Sequence, residues 1–525
     1  LDYVAEKPAG AAADERSDPS LAVGVARSGL WAGGGQFAAL IAALLATPFT
    51  IRLLGPVKYG LWSLLRSVLV YFQLADLGMA TASTRFAAER YAHDDAVGEG
   101  TVIWSALAVT VALTAAAAIV ASLVAPFLVT SVLHVPTGLR SSGVLALRLV
   151  CVAAVAYAAT NVITTPQQVR LRFRSVTLAM SGPAVSQVAA APVVLAAVAG
   201  GVVTMAAVMA TAWIVAAGLN FRAAARLLPV LRRPRVTGAT LRPIVKYGGA
   251  LAISGLADIP LSTASWFLLA HFRSATAVAY YAAASALGLL ITVIPLAVFQ
   301  PMLPALTRLA SEERFDEHRR LYHQVLRGAF LLSTSAALVL AFLGHPFLAL
   351  WAGPVYGVHS AGAFYVILVG LWFNTLAYVP YGQLLASGRT STLAVIHLAE
   401  LIPYLLLAAV LTSDFGVVGA ASASAVRLIV DSLAYFAIVR HRYKLPWVPT
   451  PYRGAASVIA FLCLGGVLFG LSAVTSSLAV RAAWSVITMA VFGTVMWRLV
   501  LTTSERSSLA TLVGGIVQRA GSAAT

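Results

Sequence analysis

Apolar positions in this chain come in long unbroken blocks rather than in the alternation of a half-buried strand or the spaced stripe of a surface helix. About fourteen such blocks can be marked off. They fall near 29–51, 60–80, 101–129, 144–165, 176–199, 202–221 and 247–270, then near 279–303, 328–351, 361–386, 391–412, 416–439, 454–475 and 482–502. A helix of about 20 residues crosses the ~30 Å hydrocarbon core of a bilayer. Lipid offers the backbone no hydrogen-bond partners, so each block is predicted to be helical. The ~10-residue alternating segments of a transmembrane barrel are not the pattern here. The predicted fold is an all-α polytopic membrane protein.

Polar residues then define the organisation. From Phe49 to Glu89 one block ends at Arg52, a tight Leu54-Gly55-Pro56 turn follows, and the next block carries Arg66 and Asp76 before leaving through Ser83, Thr84 and Arg85. The same design returns from Phe267 to Glu313. Across the chain the halves match at an offset of about 215–223 residues. Tyr59 and Arg85 echo Tyr281 and Arg308, Ala125-Pro126-Phe127-Leu128 echoes His345-Pro346-Phe347-Leu348, and Gly201-Val202-Val203 echoes Gly416-Val417-Val418. An even number of helices in each half gives both halves the same orientation, so the repeat axis runs along the membrane normal. The expected layout is a tail (1–28), an N-lobe of six helices (29–221), a basic linker (222–246), a C-lobe of six (247–440), a C-terminal helix pair (454–502) and a tail (503–525).

Composition agrees with burial in lipid: 525 residues, 60% hydrophobic and 10% charged, with mean hydropathy +0.87. The net charge of +17 is spread over the ends of blocks instead of forming a domain, which argues for topology and anionic lipid rather than nucleic acid. Lys and Arg crowd into alternate connections, above all Arg222–Lys246, and this bias places both termini in the cytoplasm. Only Arg66 and Arg427 are counted inside helices. Cys151 and Cys463 lie far apart in apolar blocks, so neither a disulfide framework nor a metal site is expected, and no cofactor is implied. The first 20 residues read as a disordered tail without a cleavable signal.

The order Gly55-Pro56-x-x-Tyr59-Gly60-Leu61-Trp62, then Asp76-Leu77-Gly78 with Arg85-Phe86, resembles the polysaccharide-transport (Wzx-type) flippases of the multidrug/oligosaccharidyl-lipid/polysaccharide exporter superfamily. Pro304-x-Leu306-x-x-Leu309 and Gly416–Ala421 extend the resemblance over residues 29–440. It implies a V-shaped two-lobe bundle in a bacterial plasma (inner) membrane that moves undecaprenyl-diphosphate-linked oligosaccharide outward by alternating access. The partners it implies are the lipid-linked oligosaccharide and membrane lipids, with polysaccharide polymerase or glycosyltransferases as further candidates. A cation-coupled multidrug exporter of the same superfamily is the alternative, although helix 29–51 holds no acid and the buried charges include two arginines.

Charged groups inside membrane-length blocks are the candidate sites, because each costs at least ~2.5 kcal/mol to insert and so faces a bundle interior or wet cavity. Arg66 can offer a diphosphate a bidentate fork, or can hold a backbone carbonyl. Arg427 and Asp431, spaced i, i+4, can pair on one face, or Asp431 can yield Arg427 to a diphosphate. Asp258 beside Pro260, where a kink is expected, and Glu400 near His397 and Pro403 can carry H⁺ or Na⁺, or can serve as hydrogen-bonded structural groups. Asp76 and Arg85 resemble recurring family positions and suit gating. Arg52 and Arg273 are repeat mates that either flank the outer mouth, as anion contacts, or snorkel. Trp31, Trp62, Trp266 and Trp351 read as interfacial belt residues. The loop Ser311–Arg320 reads as a solvated helix end. No catalytic signature is present, so an enzyme is not expected. Arg222–Lys246 leaves open a scaffold that recruits cytoplasmic glycosyltransferases.

Overall fold

A computed structural model describes residues 19–75, 78–170, 172–198, 200–255, 257–292, 302, 306, 315–387, 390–445, 478–500 and 506. Every described segment of any length is helical, and among the described residues ten helices are long and apolar enough to cross a membrane. The expected run 454–475 lies outside the described residues. The first 18 residues lie outside them too, as does the C-terminal tail apart from its start near Arg506.

Helix α1 (Pro19–Ala75) carries the first two expected blocks in one element, and they part at Gly55, whose φ of 73° breaks the helical course. An L-residue with a side chain adopts that φ only at a penalty, whereas glycine does not. The expected Leu54–Pro56 turn is therefore a sharp kink with helix running up to it on both sides. The first arm also starts ten residues earlier than the sequence reading, so residues 19–28 are helix and not tail. The N-lobe continues with α2 (Met79–Ala92), α3 (Ala96–Phe127), α4 (Arg140–Ile163), the short α5 (Thr165–Val169), α6 (Phe173–Val198) and α7 (Val202–Leu227). Gly78 enters α2 at φ 65°, and the Asp95 carboxylate caps α3 by accepting from the Gly98 amide at 2.7 Å. Capping of this kind contributes about 1 kcal/mol.

The expected linker is shorter than 222–246. Helix α7 runs through Arg222 and Arg226 to Leu227, and α8 (Gly238–Gly255) begins well before Lys246. The C-lobe then comprises α8, α9 (Asp258–Phe272), α10 (Ala275–Gly288), α11 (Phe315–Trp351), α12 (Pro354–Ala386) and α13 (Thr390–Tyr443). The kink expected at Pro260 is a break between α8 and α9, with Asp258 as the first residue of α9. Helix α13 repeats the device of α1: two expected blocks share one element that folds at Gly416, φ 57°. Helix α14 (Leu478–Val495) docks on the C-lobe, where Phe492 and Met496 join Tyr322, Leu326 and Phe330 in one apolar cluster.

The main apolar core crosses from lobe to lobe. Leu61, Leu64 and Leu65 of the second α1 arm pack with Val278, Ala282 and Leu287 of α10. Gly60 makes this approach possible, since a methyl group there would collide with the carbonyl oxygen of Ala275. Two tryptophans expected at the lipid interface are instead buried, Trp62 at 6% exposure and Trp351 at 9%, and Trp266 packs edge-on against Tyr281 at 5.4 Å. Their indoles gain more contact in the packed core than at a membrane surface.

Candidate functional site: a charged C-lobe cluster and a latched outer end

The fold at Gly416 turns the two arms of α13 toward one another, and this brings three of the expected residues together. Glu400 lies on the first arm, Arg427 and Asp431 on the second. Arg427 Nη1 stands 3.5 Å from Glu400 Oε1, with the two side chains 14% and 10% exposed. The expected i, i+4 pair is thus replaced: the ion pair of Arg427 runs to Glu400 on the facing arm, not to Asp431 on its own. The guanidinium also lies 5.6 Å from the Tyr404 ring centroid.

Asp431 is 5% exposed and lies against the Tyr435 hydroxyl. That hydroxyl is 2.9 Å from His397 Nε2. One ligand-type atom from each of His397, Glu400 and Asp431 falls within 4.8 Å of the others. Asp258, exposed at the start of α9, is close enough to interact electrostatically with Glu400, Asp431, Tyr378 and Tyr381. Two carboxylates therefore face one guanidinium, with a third, Asp258, near both of them, and several polar atoms have no hydrogen-bond partner among the described residues: both Glu400 oxygens, Arg427 Nε and Asp431 Oδ1. Buried polar groups left in this state cost about 1–3 kcal/mol each, so the cluster favours a further polar or charged partner. Carboxylate, phenol and imidazole suit a proton or a hard monovalent ion, while Arg427 repels a second full charge on its side.

Arg66 occupies a different place. On the second α1 arm it follows Tyr59, Trp62 and Ser63, and with Thr47, Thr50 and Gln187 these line a polar cavity of about 40 Å³ in the N-lobe. That volume is about the size of one water. Arg66 itself is exposed, so its guanidinium stands at the rim, and Gln187 Oε1 inside has no partner among the described residues. The structure does not bring Arg66 into the C-lobe cluster.

Arg52 and Arg273 both end on backbone carbonyls. Arg273 donates to the carbonyl oxygens of Thr412 (3.3 Å), Ser413 and Asp414 (2.9 Å), closing the first arm of α13 just before Gly416. Arg52 Nη2 reaches across the lobes to Leu350 O at 3.3 Å. Beside it, Trp351 Nε1 donates to Leu44 O at 2.6 Å. Farther along the same seam the imidazoles of His134 and His271 sit 5.1 Å apart, and the Thr263 and Tyr71 hydroxyls meet at 2.7 Å. With the Gly60–Ala275 contact, the Arg52, Trp351 and His134–His271 ties join the two lobes at the end opposite the arginine-rich connections, while the Tyr71–Thr263 tie lies deeper, near the far end of the second α1 arm.

Arg85 lies exposed on α2, 3.4 Å from Glu89. Asp76 lies outside the described residues. Two charged features escaped the sequence reading. Glu99, 1% exposed, takes a two-pronged hydrogen bond from Arg170 at 2.6 and 2.9 Å, and Arg170 stacks over Tyr91 at 4.6 Å. Arg148, not counted among the arginines inside helices, is an exposed residue about two turns inside α4. The intramembrane rule would have found Arg148. Nothing in the sequence singles out Glu99, which sits at a block margin where charges are ordinary.

The fold is that of a polytopic helical membrane protein. Residues 25–310 match the model of the family described as polysaccharide biosynthesis protein, and the chain belongs to that family. It is 29% identical over 194 residues to a putative O-antigen transporter from Shigella flexneri, an alignment covering 37% of this chain and 46% of that protein. The chain thus matches about half the length of that curated relative. Among solved structures it is similar to the lipid II flippase MurJ in an inward closed conformation, with TM-score 0.70 and 12% identity over 88% of this chain and 98% of that one. It is also similar to an inward-facing multidrug resistance transporter of the MATE family, with TM-score 0.63 and 14% identity over 79% and 93% of the two chains. At these identities the likeness is one of fold.

Proposed function

We propose that this protein is a flippase that carries undecaprenyl-diphosphate-linked oligosaccharide, a precursor of cell-surface polysaccharide, from the cytoplasmic to the outer leaflet by alternating access. The observation that supports the reading is the set of ties between the lobes at one end, made by Arg52, Trp351, His134 and His271, with the arginine-rich connections, and the loading side assigned to them, at the other. Family membership and the O-antigen relative supply the substrate class. Both termini are assigned to the cytoplasm and the chain to a bacterial inner membrane. A polymerase or glycosyltransferase would act before or after this step.

Arg66 is assigned the diphosphate, at the rim of its polar pocket, where a guanidinium forms paired hydrogen bonds to phosphate oxygens. Arg52 would be released for the same anion when the outer end opens. Asp258, Glu400 and Asp431 are assigned an inward-moving H⁺ or Na⁺. Uptake of the cation by Glu400 would loosen its hold on Arg427, making that arginine available in turn. Two negative charges leaving through a ~100 mV inside-negative potential release roughly 4.6 kcal/mol, so the cation adds to a drive that already exists.

The test is purified protein in liposomes with a fluorescent undecaprenyl-diphosphate glycan, scored for inside-to-outside movement. Arg66→Ala is expected to abolish translocation and leave the protein monodisperse. Wild-type rates in that variant would remove the anion site. Export of organic cations under a proton or sodium gradient, without glycan movement, would assign the chain to drug export instead.

A further inference from the structure

The N-lobe carries a second cavity that the transport reading does not use. It lies between α6 and α7, has a volume of about 500 Å³, and its walls include Leu178, Gly182 and Pro183 on one side and Ala212, Val215 and Leu219 on the other. Small residues at 182 and 212 make the hollow, and exposed leucine and valine side chains make its walls apolar. From Ser175 to Ser186 the α6 wall runs about 16 Å, close to half of the ~30 Å hydrocarbon core. The hollow is therefore as long as one leaflet is deep.

Its mouth is cationic. On α7 the lining face passes through Val215, Leu219 and Ala223, and the same face continues one turn on with Arg222 and Arg226. On α6 it begins at Ser175, and Arg172 stands three residues earlier, its carbonyl accepting the Ser175 amide at 3.0 Å. All three arginines are exposed, and none has an acidic partner among the described residues. These residues sit at the end of the lobe where the charge pattern places the cytoplasm. The face of α6 that meets the Arg66 pocket is a different one, formed by Gln187, Val188 and Ala191, so the hollow is separate from the proposed transport arginine.

We infer that this slot binds a resident anionic phospholipid of the cytoplasmic leaflet, one acyl chain lying between α6 and α7 and the phosphate on Arg172, Arg222 and Arg226. An apolar shaft of leaflet length under a rim of guanidinium groups is complementary to that molecule and to few others. A zwitterionic lipid gains less at the rim, and a long polyisoprenoid overruns the shaft. The assignment stands apart from the flippase reading, and its test does not measure transport.

The experiment is native mass spectrometry of the full chain released from nanodiscs of phosphatidylethanolamine with phosphatidylglycerol as the minority lipid. Wild type is expected to retain phosphatidylglycerol above its share of the disc. Arg222→Gln with Arg226→Gln is expected to lower that preference by about fivefold for each charge removed, with total lipid retention kept. Gly182→Leu, where an added Cβ meets open space, is expected to fill the shaft and lower retention of both lipids. Unchanged melting temperatures establish that the variants are folded, and the arginine pair, being exposed, tests the rim even if the leucine disturbs the lobe. A wild-type lipid ratio equal to that of the disc, or retention unaffected by either change, overturns the proposal. Displacement of phosphatidylglycerol by added undecaprenyl phosphate overturns it as well, since the slot would then belong to the carrier lipid.

Discussion

Two ion pairs carry the residue-scale energetics, and they differ in how well they are satisfied. Glu99 and Arg170 meet in a bidentate geometry with the carboxylate almost wholly buried. Removing one partner strands the other, which costs about 3–5 kcal/mol. Glu99→Gln should therefore lower the unfolding temperature in detergent by several degrees, and a shift within error would show the pair to be ornamental. Glu400 and Arg427 are held more loosely, at 3.5 Å. There, Glu400→Leu with Arg427→Met should be less destabilising than the sum of the two single changes, because the double variant strands neither member of the pair. Additive losses in thermal unfolding would refute that. The members of this cluster were legible as charges inside apolar blocks. Their pairing was not. The i, i+4 rule gave Asp431 to Arg427, whereas the choice was made by the facing arm, which only the fold at Gly416 brings near. Glu99 and Arg170 were invisible for the opposite reason, since charge at a block margin is unremarkable until burial is known.

At the scale of elements, glycines decide where helices turn and how closely they pass. Gly416 at φ 57° sets the α13 hairpin, so Gly416→Ala should cost about 1–3 kcal/mol of stability and separate His397 from Tyr435. Gly60 acts by absence of volume. Gly60→Val should push the second α1 arm off α10 and loosen the outer seam. The readout is labelling of His271→Cys by a membrane-impermeant thiol reagent, with Cys151 and Cys463 replaced by serine: faster labelling is expected, and an unchanged rate would mean that the seam does not depend on this contact. Block boundaries in the sequence located most helices to within a turn or two. They failed where hydropathy and helix part company. Residues 19–28 and the ends of 222–246 carry arginines and fall outside the apolar blocks yet are helical, because a helix can project beyond lipid into water, and hydropathy registers only the lipid.

The molecule as a whole is a helical bundle of two lobes, with polar ties between them at the outer end and a cluster of acids in one of them. If the C-lobe cluster takes up the coupling cation, Asp258→Asn and Asp431→Asn should each remove the acceleration that an imposed proton or sodium gradient gives to glycan translocation. The part driven by membrane potential should remain. A variant that keeps its response to the gradient would separate the cluster from coupling. The sequence already put Asp258, Glu400 and Asp431 in the second half, but it did not show the contacts among them. The repeat aligns backbone positions, and the acids gather in the C-lobe through side chains that have no counterpart in the echo.

The latch at the outer end has a consequence for how the sequence tolerates change. Arg52 and Trp351 donate to carbonyl oxygens of the main chain, at Leu350 and Leu44, and a main-chain oxygen is present whatever side chain stands there. Each tie is thus encoded on one side only. In a saturation library selected for surface polysaccharide, positions 44 and 350 should accept any residue that lipid or core packing allows, while 52 and 351 should accept almost none.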